Sequence, residues 1–136
     1  MPELQIDTNK VCYLIVKGRE FEALVEPEGD YDGSDAPDDR YMAVLERGDD
    51  NPVAEELQSF IRDLNQDELT DILTLLMIGR GDFGLEEWDD ARREAGGLRE
   101  ERRPANLLAV PALPDYLEDA LSQLDISCED FEMGHL

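Results

Sequence analysis

The residues best suited to chemistry form the segment Gly79-Arg80-Gly81-Asp82-Phe83, which lies between an apolar run and a second periodic stretch. Glycines and a guanidinium ahead of a helix N-terminus offer free amide groups, a positive dipole end and a planar donor, the ingredients of an anion site. Asp82 argues against an anion, and Walker and dinucleotide loops follow a strand that is not indicated here. The main alternative is a helix–helix turn in which Arg80 pairs with a local acid such as Asp82.

The same turn contains two aromatic residues with a structural explanation. Phe83 and Trp88 have the spacing of a hydrophobic staple around an N-cap at Gly84, with Glu87 at the third helical position. Gly79 suits the left-handed position that follows a helix C-terminus. If the turn has a function, its candidate residues are therefore Arg80, Asp82, Phe83 and Trp88, and the two charged residues have no required structural role.

Metal binding has weak support in this sequence. Asp30, Asp32 and Asp35 alternate as in a calcium loop, but the EF-hand pattern requires glycine at position 6 and glutamate at position 12, where this chain has Asp35 and Tyr41. An ordinary acidic loop over residues 26–40 is the preferred interpretation. We predict no metal site and no cofactor.

A catalytic set is also missing. His135, the one histidine, lies beside the C-terminus, which is a poor place to hold a base for a nucleophile such as Cys12 or Cys128. The two cysteines show no CxxC spacing, and we expect reduced thiols in a cytoplasm. The sequence favours a non-enzymatic protein.

Charge is the strongest compositional signal, because 35 Asp and Glu against 12 Lys and Arg give a formal net charge of −23. This balance disfavours direct contact with nucleic acid phosphates. Residues 92–103 nevertheless hold five arginines, of which Arg92 and Arg99 are candidate interaction residues. The acidity is compatible with nucleic-acid mimicry, with a basic partner, or with solubility and a high-salt habitat alone.

Apolar periodicity predicts an all-α fold, a compact bundle of about five helices in antiparallel pairs. Gly18 indicates either a close helix contact or a break in the first helix. Helices joined tightly at Asn65 are expected to pack as an αα-hairpin. The predicted helices cover residues 7–25, 52–64, 66–78, 85–95 and 113–124, with a short helix at 104–110.

We expect one domain over residues 1–136, with a frayed tail at 127–136. The N-terminus lacks the pattern of a secretory leader, and no apolar run reaches the about 20 residues that span a bilayer. We therefore expect a soluble cytoplasmic protein that does not contact membranes.

Two motifs resemble a known family. They are Gly79-Arg80-Gly81-Asp82-Phe83 with Glu87-Trp88, and Leu107-Leu108-Ala109-Val110-Pro111 followed by Leu113 and Tyr116-Leu117-Glu118. The family comprises small bacterial proteins catalogued as a domain of unknown function, numbered 3775, and the likeness covers about residues 45–124. The resemblance implies a bacterial cytoplasmic helical domain and marks the glycine turn as the functional patch, but it implies no activity or cofactor.

Three functions stay open. The leading hypothesis is a protein-interaction module in which acidic faces, or the arginines of residues 92–103, dock a protein partner. The second is a small-ligand or anion-binding domain, with or without enzymatic activity, centred on the segment from Gly79 to Trp88. The third is mimicry of nucleic acid, and a homo-oligomer is compatible with each.

Overall fold

The structure, a computed structural model, describes residues 4–25 and 52–129. The described part of the chain is an all-α compact bundle, which confirms the predicted fold class. The acidic loop 26–40 with Asp30, Asp32 and Asp35, and the C-terminal residues 130–136 with His135, lie outside the described residues. The α-helices of the described ranges are α1 (Thr8–Val25), α2 (Pro52–Arg62), α3 (Gln66–Arg80), α4 (Trp88–Gly97), α5 (Pro104–Leu108) and α6 (Leu113–Gln123), with 3-10 turns at Leu85–Glu87 and Glu100–Arg102.

Helix α3 is the centre of the core, as its long apolar run predicts. Leu69 and every residue from Asp71 to Ile78 are buried, and the helix packs against α4 and α6. Its first turn is fixed by a capping box, because Asn65 Oδ1 accepts from the Glu68 amide at 2.8 Å and Glu68 Oε1 accepts from the Asn65 amide at 2.9 Å. This helix therefore sets the positions of the turn that follows it and of α4.

Two glycines allow α6 to approach α1 and α3 closely. A Cβ on Gly18 of α1 would lie 2.9 Å from Pro114 Cγ, so the close-contact interpretation of Gly18 is the right one. A Cβ on Gly79 would lie 2.0 Å from the carbonyl oxygen of Tyr116. Gly79 is thus a packing residue inside α3, and its predicted left-handed role is wrong. That role belongs to Gly81, which has a φ of 86°.

Helix α2 has different neighbours from those predicted. Its main contacts are with α1 and α5, and it does not pack along α3 as an αα-hairpin. The apolar surfaces of the two helices give the physical reason. Helix α3 is buried on most of its sides and is covered by α4 and α6. Helix α2 has a single buried stripe of Ala54, Leu57 and Ile61, and it packs against α1 and α5.

The cysteines are not separate thiols. Cys12 in α1 and Cys128 beyond α6 form a disulfide with Cα atoms 5.5 Å apart, and both residues are buried. The expectation of reduced thiols is therefore wrong for this structure, because the fold brings together two residues that are 116 positions apart. The disulfide also ties the chain at Cys128, one residue inside the segment for which the sequence predicts fraying.

None of the helices in the two described ranges is both long enough and apolar enough to cross a membrane.

Candidate functional site

The glycine turn after α3 uses most of its polar groups internally. The Gly81 amide donates to Ile78 O at 3.1 Å and the Asp82 amide donates to Met77 O at 3.0 Å, which is a Schellman motif. Arg80 Nε lies 3.6 Å from Asp82 Oδ2, and both side chains are about half exposed, at 47% and 48%. The amides of Gly81 and Asp82 are therefore not available to an anion, and the Arg80 guanidinium faces the carboxylate of Asp82.

The second half of the turn starts the next helical segment at the predicted cap. Gly84 is the N-cap of the 3-10 turn, and its amide donates to Glu87 Oε1 at 2.9 Å. Phe83 is half-buried against the core and Trp88 is buried. Trp88 therefore belongs to the packing between α4 and the core and does not offer its ring to a surface ligand.

A buried ion pair joins α3 and α4 to the N-terminal segment. Asp71 is fully buried and Arg92 donates through NH1 to Asp71 Oδ1. The other carboxylate oxygen accepts from the Gln5 amide at 2.5 Å and the Ile6 amide at 3.0 Å. Burying a charge is tolerated only when it is paired and fully hydrogen-bonded, and Asp71 meets both conditions.

Arg102 forms a second junction, between the 3-10 turn and the N-terminal end of α3. Its guanidinium donates to Leu98 O at 2.8 Å, Ala95 O at 2.9 Å, Thr70 Oγ1 at 2.7 Å, Gln66 Oε1 at 3.0 Å and Gln66 O at 3.4 Å. Five acceptors use the planar fork of arginine in a way that a lysine could not. Arg102 is therefore a structural clamp rather than an exposed basic residue.

The other arginines of residues 92–103 differ in whether their side chains are paired within the described part of the protein. Arg93 NH1 lies 3.0 Å from Asp90 Oδ1 and Arg103 NH1 lies 3.5 Å from Glu100 Oε1, in exposed pairs three residues apart. Arg99 is exposed and its side chain has no hydrogen bond or ion pair within the described ranges. Most of the arginines of residues 92–103 are thus bonded to acceptors within the protein.

The outer surface of α4 and the turn before it is acidic. We define the outer α4 face as Glu86, Glu87, Asp89, Asp90, Arg93 and Glu94, all of which are exposed. Five carboxylates stand there against one guanidinium, so the face carries a formal charge of 1 − 5 = −4. Trp88, Ala91 and Ala95 on the opposite side are buried, which fixes this face toward solvent.

Polar contacts of α1 shift the pKa values of Glu68 and Tyr13. The Lys10 ammonium, 2.6 Å from Glu68 Oε2, and the Asn65 amide hold the pKa of Glu68 below its ordinary value. Burial and a hydrogen bond to Glu56 raise the pKa of Tyr13 far above its ordinary value. Both shifts come from contacts between helices, and neither places a titrating group near neutral pH.

The chemistry that the described residues offer is limited. No group of three or more His, Cys, Asp or Glu within residues 4–25 and 52–129 is placed to hold a metal ion. Cys12 and Cys128 are bonded to each other, so neither is a thiol nucleophile in this state.

Residues 54–126 match the family model DUF3775, described as "Protein of unknown function". The chain belongs to the DUF3775 family. No curated protein and no solved structure matches it. The matched residues 54–126 contain the glycine turn, Asp71 and the five arginines of residues 92–103, whereas α1 and both cysteines lie outside this range.

Asp71 is the residue that sequence reasoning missed in this DUF3775 protein. It lies four residues before Leu75 and seven before Ile78, so the three share one helical face, and that face is otherwise apolar. A single carboxylate on such a face is the available signal for a buried, paired charge.

Proposed function

We propose that this protein is a non-enzymatic interaction module that docks a basic protein partner on the outer α4 face. One observation carries the proposal: the arginines at 92, 93, 102 and 103 are bonded within the molecule, whereas the outer α4 face keeps a formal charge of −4. Of the two docking modes that the sequence allows, the acidic one is therefore favoured.

The physical basis is long-range attraction followed by local pairing. A surface of one sign raises the rate of encounter with an oppositely charged partner and disfavours partners of its own sign. Asp89 and Glu94 have no ion pair within the described ranges, so a partner's Lys or Arg can bind them without breaking an existing bond. We place the module, as one domain, in the bacterial cytoplasm.

The test compares two variants that remove the same charge from different faces. Asp89→Asn/Glu94→Gln reduces the formal charge of the outer α4 face from −4 to −2, and Glu55→Gln/Asp63→Asn removes the same two charges from α2 and the residue that follows it. Each pair includes one acid from the first turn of its helix, so the change at the helix dipole is matched.

Immobilised wild-type protein and both variants are exposed to a lysate of the source organism, and captured proteins are identified by mass spectrometry. We expect a basic partner that binds wild type and the α2 variant, is lost with the α4 variant, and elutes as salt shortens the Debye length from about 10 Å at 0.1 M to 3 Å at 1 M. Equal capture by all three proteins, or capture of nothing, would refute the proposal.

A further inference from the structure

The disulfide links two segments that are held to the bundle in different ways. Cys12 is the fifth residue of α1, and Cys128 is two residues beyond the part of the chain that matches DUF3775. Both residues are buried, at 1% and 5% exposure. The question is what each segment would do without the bond.

Helix α1 has many other attachments to the bundle. Lys10 pairs with Glu68 at 2.6 Å, and Arg19 pairs with Glu118 at 2.7 Å and with Asp115 at 3.0 Å. Its buried side chains Val11, Leu14, Ile15 and Phe21 belong to the main core. Loss of the disulfide would leave all of these contacts in place.

Residues 127–129, the described part of the chain beyond Ile126, have few attachments to the bundle. Helix α6 ends in a Schellman motif in which the Ile126 amide donates to Leu121 O at 2.8 Å and the Asp125 amide donates to Ser122 O at 3.0 Å. Within residues 127–129, the Glu129 amide donates to Ser127 Oγ at 3.0 Å, which is a local hydrogen bond that does not reach the bundle. Cys128 is therefore held to the bundle by its own burial and by the bond to Cys12.

We propose that the Cys12–Cys128 disulfide is a redox latch, whose reduction by a dithiol frees residues 127–129 from the bundle while the helices stay packed. A thiolate of the dithiol attacks Cys128 Sγ, the S–S bond breaks, and Cys12 Sγ leaves and takes up a proton. The second thiol of the dithiol then displaces Cys128 Sγ from the mixed disulfide. Two electrons and two protons pass to the protein, which gains two thiols, and the dithiol becomes a disulfide.

Position decides which sulfur is attacked. Thiol–disulfide exchange needs access to the sulfur that is attacked. Cys12 is in the second turn of a packed helix, whereas Cys128 lies five residues beyond the end of α6. Local opening of residues 127–129 would expose Cys128 without disturbing α1. In a compartment that keeps dithiols reduced, disulfides in such a position act as sensors rather than as permanent cross-links.

The test uses the full chain and a glutamate-specific protease, with and without dithiothreitol. Glu129 lies next to Cys128, and Glu118 is an exposed residue in the middle of α6 that serves as the internal control. Cleavage in a folded protein tracks the population of the opened segment, so we expect cutting after Glu129 to be at least about tenfold faster in the reduced protein. Cutting after Glu118 and the helical circular dichroism signal should not change.

The double variant Cys12→Ser/Cys128→Ser should be cut after Glu129 at the fast rate in both conditions. Three results would each overturn the latch: equal cutting after Glu129 in oxidised and reduced wild type, loss of the helical signal on reduction or in the double variant, and two free thiols in the air-oxidised protein by maleimide labelling and mass spectrometry.

Discussion

The two ends of α3 hold charge in opposite ways. Near its N-terminal end, Asp71 is fully buried and accepts from Arg92 and from two backbone amides. At its C-terminal end, Arg80 and Asp82 are about half exposed and face each other at 3.6 Å. The composition of the two pairs is the same, one arginine and one aspartate, so the difference in their energetic weight comes from desolvation and from the number of bonds.

The two ends of α3 also differ in how they are held to their neighbours, and here the C-terminal end has the closer backbone contact. The C-terminal end of α3 contains Gly79, where the helix meets the backbone of Tyr116, whereas the N-terminal end is fastened by the capping box and by the Arg102 clamp. One end is therefore positioned by polar bonds and the other by the absence of a side chain. Substitutions at each end can test this difference.

The largest effect is expected for Asp71→Ala. Removal of the carboxylate leaves the amides of Gln5 and Ile6 without an acceptor, and it leaves the Arg92 guanidinium, which is 28% exposed, with the exposed carboxylate of Asp67 at 3.9 Å in place of its buried partner. Breaking a buried pair costs about 3–5 kcal/mol in the free energy of unfolding. Urea denaturation would measure the loss.

Asp67→Ala is the matched control, because Asp67 also approaches Arg92, at 3.9 Å, but is 75% exposed. It should lower the free energy of unfolding by less than about 1 kcal/mol. Similar values for the two variants would contradict the idea that burial separates the two kinds of pair.

Gly79→Ala should have the next largest effect. The added Cβ would lie 2.0 Å from Tyr116 O and 2.6 Å from Tyr116 C, both backbone atoms, so α3 and α6 must move apart. Overpacking of this kind costs about 1–3 kcal/mol, measurable as a lower denaturation midpoint. Gly96→Ala is the control, because a Cβ at this helical glycine meets no atom within 4 Å, and it should be neutral or stabilising by up to about 1 kcal/mol. Destabilisation by Gly96→Ala as large as that by Gly79→Ala would exclude the contact with Tyr116 as the cause.

Much of the fold follows from local pattern. The spacing of Leu113, Leu117, Leu121 and Leu124 predicts α6, and all four are buried. Asn65 and Glu68 predict the capping box, which is present. These features depend on residues a few positions apart, where the geometry of one helix is sufficient.

What the sequence could not supply is the pairing of distant residues. Nothing local shows that Cys12 meets Cys128, that Gly79 rather than Gly81 contacts α6, or that α2 packs on α1 and α5. The candidate residues show the same limit. The pairing of Arg80 with Asp82 is local and is one of the two predicted alternatives, whereas the partner of Arg92 comes from another helix. Their roles in binding stay predictions.

A smaller effect, dependent on pH, is expected for Glu68→Gln. Glutamine keeps the capping geometry but removes the charge that Lys10 contacts. Because the folded-state pKa of Glu68 is lowered, its contribution is present above the unfolded pKa and is lost as pH falls through the folded pKa. At pH 7 the variant should be less stable by about 1 kcal/mol, and below about pH 4 the difference should shrink. A difference that stays constant from pH 7 to pH 3 would show that the charge of Glu68 contributes nothing.

The smallest effect is expected at the other end of α3, for Arg80→Ala and Asp82→Ala. The pair is exposed, its atoms are 3.6 Å apart, and the Asp82 backbone amide keeps its bond to Met77 O in either variant. A double-mutant cycle should give a coupling of about 0.5 kcal/mol or less, which approaches zero when salt rises from 0.1 M to 1 M. A coupling above about 1 kcal/mol at high salt would mean that this exposed pair is as strong as a buried one such as Asp71 and Arg92, and it would contradict the difference between the two ends of α3. If each single variant also keeps the wild-type stability, any change in partner capture by it would report on binding and not on folding.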